Sequence, residues 1–386
     1  MTSPVIDILD ALIGFDTTSR NSNLELMGWI EGYLARHGVG VERVYAEEGR
    51  KVNLWATIGP KDVPGYVLSG HTDTVPVDGQ DWTSDPFKLT RRGDRLYGRG
   101  TCDMKGFDAC VLAMVPEMVA ADLKRPIHIA FTHDEETGMM GVKALLGEVH
   151  RLVQARPIAC FVGEPTSMQV VVAHKAKSVF NVVVRGKPGH SSLAPQGVNA
   201  IDYAADLVLK VRDYERRFEA EGPFDPLYDV GHSTAHTGTI SGGTALNIVP
   251  ERCEFIFEFR LLPGLSTEPY EAELRAYIRD ELEPRMQAID PATGIDLECV
   301  NALPGFDSAI DSEPVLLAKR FADRNDHSKV AYGTEAGLFV AKGGIPSVVI
   351  GPGSIEQAHA ADEYVEIAQL DKCLGFIKRL IEHSAA

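Results

Sequence analysis

Apolar side chains recur at helical spacing along the first forty residues. Because one face of an α-helix repeats every 3.6 residues, this pattern predicts two helices, the second ending at Gly38. The residues that form the two apolar stripes are Val5, Ile6, Leu9, Leu12 and Ile13, followed by Leu26, Trp29, Ile30 and Leu34.

Short, mostly apolar runs that resemble strands follow these helices. They cover 52–58, 66–70, 126–132, 158–162 and 345–350, and helical patterns near 105–120, 138–148, 312–324 and 366–383 lie between or after them. Strands without a polar face are typical of parallel sheets that helices cover on both sides. The pattern therefore predicts an α/β fold with a mostly parallel sheet and helices on both faces.

Residues 178–290 have a different pattern of apolar and polar residues. Runs such as SVFNVVVRG and CEFIFEFRL alternate apolar with polar residues, and 198–218 and 268–283 resemble long amphipathic helices. Strict alternation indicates a sheet with one face in water. We expect an inserted α+β domain over 178–290, within a discontinuous main domain formed by 1–177 and 291–386.

Composition and charge narrow the possible functions of this 386-residue chain. It has 38 Lys and Arg against 55 Asp and Glu, a net charge of −17, which disfavours nucleic acid and anionic membrane surfaces as partners. No apolar run reaches membrane-spanning length, and the N-terminus lacks the pattern of a signal peptide, so we expect a cytoplasmic protein. The six cysteines show no CxxC spacing, so any bound metal is expected on nitrogen and oxygen ligands.

Candidate metal ligands occur just after predicted strands or in the loops that follow them. Because open α/β sheets place ligands at the carboxyl ends of their strands, we expect these side chains to converge. Two histidines with carboxylates and no sulfur suit two divalent ions that share a bridging carboxylate. The candidates are His71, Asp103, one of the pair Glu135 and Glu136, Glu164 and His359.

Each candidate taken alone has a simpler structural explanation. His71 and Asp73 could form an ordinary histidine–carboxylate contact, and Asp103 could cap the helix that follows it. The acidic run 134–136 could be a turn in water. The occurrence of all of them after strands favours a metal centre.

The order of the motifs resembles that of a known family. The strings HTDTVP, GRGTCDMKG, DEE, GEPT and GPGSIEQAH are similar to those of the co-catalytic zinc deacetylases, aminoacylases and carboxypeptidase G-type metallopeptidases, over nearly the whole chain. The resemblance implies two ions, zinc with cobalt as an alternative, bridged by Asp103. It implies that His71 and Glu164 bind opposite ions, Glu136 the ion of His71, and His359 the ion of Glu164.

The same resemblance implies catalytic roles for two further acids. Glu135 would be the general base that takes a proton from the attacking water and returns it to the leaving amine. Asp73 would orient the His71 ring. Spacing alone cannot decide which of Glu135 and Glu136 is the base.

The inserted domain would contribute residues as well. The resemblance implies that His190, in RGKPGHSS, stabilises the oxyanion in the active site of a second subunit, so that a homodimer through the lid domain is required. Asn247 and Arg260 would hold the substrate, and Gly333 and Thr334 would line the opposite side of its pocket. Without the resemblance, His190 would more simply be a surface histidine, and a strand-edge salt bridge is the alternative for Arg260.

Within the family, several strings resemble the branch that hydrolyses N-acetyl-L-ornithine to L-ornithine and acetate in arginine biosynthesis. They are WTSDPF, GEPTS, GHSS, GTEAG and GPGSIEQAHAADEY, and Glu335 in GTEAG could hold the cationic side chain. The alternatives are a succinyl-diaminopimelate desuccinylase, a broad N-acyl-amino-acid hydrolase, or a non-catalytic relative that binds metal or an amino acid. The presence of Glu135 and His190 disfavours the last of these.

Overall fold

A computed structural model of the protein describes residues 3–46 and 48–386, which divide into two compact units. The first contains the chain up to Ala173 together with Phe306–Lys329 and Thr334–Ala386. The second contains His174–Gly305 and Val330–Gly333. Within the described part of the chain, every helix is too short or too polar to cross a bilayer.

The helices, in chain order, are α1 Pro4–Ile13, α2 Leu24–Arg36, α3 Lys105–Ala120, α4 Met140–Gly147, α5 Val149–Leu152, α6 Ala200–Glu221, α7 Glu268–Tyr277, α8 Glu283–Gln287, α9 Glu313–Ala322, α10 Ala336–Ala341 and α11 Ile367–Ala385. The strands are β1 Val41–Tyr45, β2 Val52–Ile58, β3 Tyr66–His71, β4 Thr90–Arg92, β5 Arg95–Tyr97, β6 Ile127–Thr132, β7 Ala159–Val162, β8 Val171–His174, β9 Ala176–Arg185, β10 Thr234–Gly242, β11 Arg252–Leu261, β12 Gly294–Leu303, β13 Phe306–Asp307, β14 Ser328–Val330, β15 Ser347–Val349 and β16 Tyr364–Glu366.

The first unit is organised around a nine-stranded sheet in the order β1-β2-β6-β3-β7-β15-β8-β13, with β14 beside β8. The four strands β6, β3, β7 and β15 run parallel to one another. The strand β2 joins them antiparallel on one side and β8 on the other. Because β3, β6 and β7 are buried along their whole length, the predicted parallel α/β sheet is confirmed.

Helices complete the core of the first unit. The apolar stripe of α1 is buried at Val5, Ile8, Leu9, Leu12 and Ile13, and both α1 and α11 pack against α3. The two N-terminal helices predicted from the sequence are confirmed. Gly38, just after α2, has a positive φ of 74°, a conformation that glycine adopts with little strain.

The second unit contains a four-stranded antiparallel sheet in the order β10-β11-β9-β12. Buried and more exposed residues alternate along β9 and β11, and the buried face packs with α6 and α7 into a core of its own. The expected sheet with one buried face and one more exposed face is therefore present. The strand β12 pairs with β9 along its length, so this unit extends to Gly305, whereas the sequence suggested a boundary at 290.

A buried histidine lies near one side of the main sheet, within the first unit. His128 on β6 is 2% exposed, its Nδ1 lies 2.9 Å from the Thr57 hydroxyl, and its ring centroid is 5.2 Å from that of Trp55. Burial, with a smaller contribution from Lys61, lowers the pKa of His128 to about 4. The folded protein therefore holds this imidazole neutral at mildly acidic pH.

We expect His128 to make the first unit sensitive to acid. Its folded pKa of about 4 lies below the ordinary value of about 6.5, so the unfolded chain takes up the proton first as the pH falls. The stability from neutral His128 is complete above pH 6.5 and is lost between pH 6.5 and 4, at a cost of about 2–3 kcal/mol. Urea unfolding of parent and His128→Gln at pH 7 and 4.5, followed by tryptophan fluorescence, measures this loss.

The free energy of unfolding should fall less between the two pH values in His128→Gln than in the parent. The exposed His150 supplies the control, since His150→Gln should keep the parental pH dependence. An equal fall in all three proteins would contradict the assignment.

Candidate metal centre

The carboxyl ends of the parallel strands carry the predicted ligands. The strand β3 ends at His71, β6 leads into the acidic run 134–136, and β7 leads into Glu164. Because β6, β3 and β7 are adjacent and parallel, these positions meet at one edge of the sheet, as strand-end geometry requires.

The side chain of Asp103 lies between the two predicted histidine ligands. Its Oδ1 is 3.0 Å from His71 Nε2, and its Oδ2 is 3.3 Å from His359 Nε2. The N-cap residue of α3 is Met104 rather than Asp103, so the simpler explanation of Asp103 as a helix cap does not hold. A carboxylate with one oxygen at each histidine has the arrangement that a bridging ligand needs.

The glutamates approach the same pair of histidines. Glu136 Oε1 is 3.1 Å from His359 Nε2, and Glu164 Oε1 is 4.0 Å from His71 Nε2. Donor atoms of His71, Glu135 and Glu164 lie within 4.8 Å of one another, as do those of His71, Asp103 and Glu136. All the predicted ligands thus converge at one place in the first unit.

These distances do not favour the division of ligands that the family resemblance implied. That division put Glu164 opposite His71 and Glu136 beside it. The contacts at the centre instead join His359 to Glu136 and bring Glu164 to His71. Each of these histidine–glutamate pairs has one oxygen of Asp103 next to it.

The electrostatics of the centre fit a bound cation. Burial, and after it the charge of Asp103, raises the pKa of Glu164 and of Glu136. Contacts with Asp103 and Glu136 raise the pKa of His359 to about 10. In the structure as described, protonated histidines thus supply the positive charge that the carboxylates need. Divalent ions on oxygen and nitrogen donors would supply more of it, and would release the histidine protons on binding.

Asp73 lies beside His71, where the family resemblance places it. The Nδ1 atom of His71 is 3.1 Å from the Asp73 backbone oxygen and 3.6 Å from its carboxylate. The carboxylate also accepts hydrogen bonds from the Ser19 hydroxyl at 2.6 Å and from the backbone N–H groups of Glu135 and Glu136 at 3.1 and 3.4 Å. Asp73 therefore anchors the loop that carries both glutamates.

The residues predicted in the inserted domain lie in the second unit. His190 and Asn247 are exposed neighbours: His190 bridges to Ile248, and the N–H of Ser191 donates to the Asn247 oxygen at 3.0 Å. Arg260, on β11, donates through Nε to Glu258 at 2.7 Å. This ion pair on a strand is the simpler explanation that the sequence left open for Arg260.

The segment around residues 333–335 is more enclosed than the sequence suggested. Gly333 belongs to the second unit and Thr334 to the first, and Thr334 is 1% exposed. Glu335 is also 1% exposed and accepts hydrogen bonds from Thr132 at 2.6 Å and Ser69 at 3.4 Å. Because Glu335 is enclosed by its own unit, we do not expect it to contact a substrate side chain.

Sequence reasoning gave no role to several residues around the centre. Ser19 holds Asp73, and Glu363 accepts the backbone N–H of Asp103 at 3.1 Å. The string GPGSIEQAHAADEY contained Glu363, but nothing in its spacing indicated a partner so far along the chain. The thiol of Cys102, next to Asp103, is buried, and this burial raises its pKa.

Comparison with known proteins identifies the family of the chain. The model of peptidase family M20/M25/M40 matches residues 67–383. The chain belongs to this family. The M20 family membership confirms the resemblance that the motifs indicated, and identifies the chain as a hydrolase.

Known proteins match the chain along nearly its full length. The acetylornithine deacetylase of Yersinia pestis is 35% identical over 392 residues, which cover 98% of this chain and 97% of the relative. Two solved structures share the fold. The aminopeptidase PepT of Bacillus cereus has a TM-score of 0.77 and 23% identity, covering 99% of this chain and 98% of its own. The Bacillus subtilis YXEP protein, a dinuclear metal binding peptidase of the M20 family, has a TM-score of 0.63 and 16% identity, with 98% and 96% covered.

Proposed function

We propose that the protein is a dinuclear metal-dependent amidohydrolase that cleaves N-acetyl-L-ornithine to L-ornithine and acetate. The observation that carries the reaction type is the convergence of two histidines and four carboxylates at one edge of the sheet. The choice of substrate is supported by 35% identity to an acetylornithine deacetylase over nearly the full length of both chains. We assign the reaction to arginine biosynthesis in the cytoplasm.

Two ligand sets are proposed for the two ions. One contains His71, Glu164 and Asp103 Oδ1, and the other contains His359, Glu136 and Asp103 Oδ2, as the contact distances suggest. Zn²⁺ suits these nitrogen and oxygen donors, and Co²⁺ suits them as well. When bound, the ions lower the pKa of a water molecule and polarise the scissile carbonyl.

Glu135 is the proposed general base. One of its carboxylate oxygens lies within 4.8 Å of the nearest metal-binding atoms of His71 and Glu164, and its backbone N–H donates to the Asp73 carboxylate. The carboxylate takes a proton from the attacking water and gives it to the leaving amine nitrogen, so that amide and water become amine and carboxylic acid. A carboxylate that binds metal has lost most of its basicity, so one glutamate of the pair would be the ligand and the other the base. The family resemblance assigns Glu136 as the ligand and Glu135 as the base, and the contact of Glu136 with His359 supports this choice.

The second unit is proposed to bind the substrate and to dimerise. Asn247 and Arg260 would hold the amino-acid part, since a guanidinium pairs well with a carboxylate. Gly333 of this unit, and Thr334 of the first unit, are proposed as pocket residues. Among the described residues β10 pairs with β11 alone and has one open edge. Apolar side chains are exposed nearby, Ile240 at 55% and Leu246 at 101%. Open edges with exposed apolar residues favour pairing with a second copy.

A substrate panel with metal removal tests the reaction. The protein should hydrolyse N-acetyl-L-ornithine with a kcat/KM at least about tenfold above that for N-succinyl-diaminopimelate or N-acetylmethionine, because the pocket decides the acyl and side-chain preference. Chelation should abolish hydrolysis, and Zn²⁺ or Co²⁺ should restore it. A preference for the succinyl substrate would replace the proposed substrate, and full activity after chelation would overturn the metal mechanism.

Neighbouring glutamates should respond differently to the same substitution. Glu135→Gln should lower kcat by about 10²–10⁴-fold while the metal content stays at two ions per chain, because only proton transfer is removed. Glu136→Gln should instead lower the number of metal ions bound per chain, as measured by inductively coupled plasma mass spectrometry. Activity of Glu135→Gln equal to that of the parent would exclude Glu135 as the base.

Mixing two inactive variants tests the proposed dimer and the role of His190. If His190 acts in the site of the second copy, His190→Ala and Glu135→Gln chains should each be nearly inactive alone and regain activity after they exchange subunits. Ile240→Lys should shift the protein towards monomer in light scattering, whereas Leu316→Lys, at a 53% exposed position of the first unit, should not. A parent that is monomeric throughout would contradict the proposal.

A further inference from the structure

A buried ion pair lies beside the candidate metal centre, formed by two residues that the mechanism above does not use. Arg99 is 0% exposed and Glu363 is 1% exposed, and Nη1 of Arg99 donates to Glu363 Oε2 at 2.6 Å. Buried ion pairs often stabilise a protein no better than well-packed apolar residues, because both charges lose their hydration.

Glu363 holds the backbone on either side of the Cys102–Asp103 peptide. Its Oε1 accepts the N–H of Cys102 at 2.9 Å and the N–H of Asp103 at 3.1 Å. Since Oε2 accepts from Arg99, both carboxylate oxygens are occupied. The backbone position of the proposed bridging ligand is thus fixed by one buried acid.

Arg99 also extends to the loop that carries the second histidine. Its Nη2 donates to Gln80 Oε1 at 2.5 Å, and Gln80 Nε2 donates to the backbone oxygen of His359 at 2.9 Å. The Trp82 indole donates to the same Gln80 oxygen at 3.0 Å, and its ring lies 5.1 Å from the Arg99 guanidinium. One continuous set of hydrogen bonds therefore joins the backbones of Asp103 and His359.

The two ligands joined in this way need such support. Asp103 and His359 lie in loops outside the regular strands and helices, and His359 has a positive φ of 59°. Their donor atoms lie 3.3 Å apart, so a small shift of either loop changes the size of the site between them. Removing a residue that forms a hydrogen bond to a metal ligand commonly lowers the metal affinity by about 10- to 100-fold.

We propose that Arg99, Glu363 and Gln80 are positioning residues that set the spacing between Asp103 and His359, and so the affinity for the metal ion that these two ligands share. The inference rests on the two-metal site of the proposed function. It predicts an effect on one of two metal-binding steps, because the contacts of His71 with Asp103 and Glu164 involve none of the three residues directly.

Gln80 offers the sharpest test, since it is partly exposed and its removal should leave the fold intact. Metal-stripped parent and Gln80→Ala are titrated with Co²⁺, and binding is followed by the visible absorption of the bound ion. The step lost in His359→Asn identifies the ion at His359. In Gln80→Ala the dissociation constant of that step should rise about tenfold, with the other step unchanged.

Gln80→Glu separates the two contacts of Gln80. A glutamate can still accept from Arg99 and Trp82 but cannot donate to the His359 oxygen, so it should weaken the same step as Gln80→Ala does. The exposed Gln154 supplies the matched control, and Gln154→Ala should bind both ions as the parent does. Circular dichroism and melting temperature check that all variants fold alike.

The outcomes separate this inference from the proposed function. If the parent binds two ions and the Gln80 variants bind both with parental dissociation constants, the positioning role is overturned. The same holds if the variants bind both ions more weakly by the same factor. In either case the two-metal site remains. A parent that binds fewer than two ions would overturn the proposed function itself, and the positioning role with it.

Discussion

The structure of this protein depends on one constraint, namely that several carboxylates of like charge are buried close together. Asp103, Glu136 and Glu164 meet at the carboxyl ends of three parallel strands, where burial and mutual repulsion raise the pKa of both glutamates. Such an arrangement is stable only if positive charge lies among the acids. Here His71 and His359 supply part of it, and the proposed divalent ions would supply more.

The loops that bring these acids together are held by acids that are not ligands. Asp73 accepts the consecutive backbone N–H groups of Glu135 and Glu136, and Glu363 accepts those of Cys102 and Asp103. In each case one carboxylate accepts hydrogen bonds from two consecutive backbone N–H groups of a loop that carries a proposed ligand. Hydrogen bonds to an ionised carboxylate are stronger than those between neutral groups, so these contacts hold the ligand backbones in place.

Sequence patterns predicted the framework well, because burial imposes a local signature. The runs at 66–70 and 126–132 are mostly apolar and lack a regular polar alternation. Such runs are typical of strands covered on both faces, and they became β3 and β6. The alternation in 178–185 likewise predicted a sheet with one wet face. The order of motifs at strand ends then selected the ligands. The boundary of the second unit was misplaced because β12 pairs with β9, more than a hundred residues earlier.

The sequence by itself thus determined the family, the parallel sheet and the set of side chains that could bind metal, since these depend on residue type and on periodicity along the chain. The tertiary structure decided which histidine lies beside which glutamate, that Asp73 holds the loop of both glutamates as well as lying beside the His71 ring, and that Glu335 is enclosed. It also joined Arg99 to Glu363 and Gln80. These are relations between residues remote in the chain, and their distances are set by packing, on which local sequence carries no information.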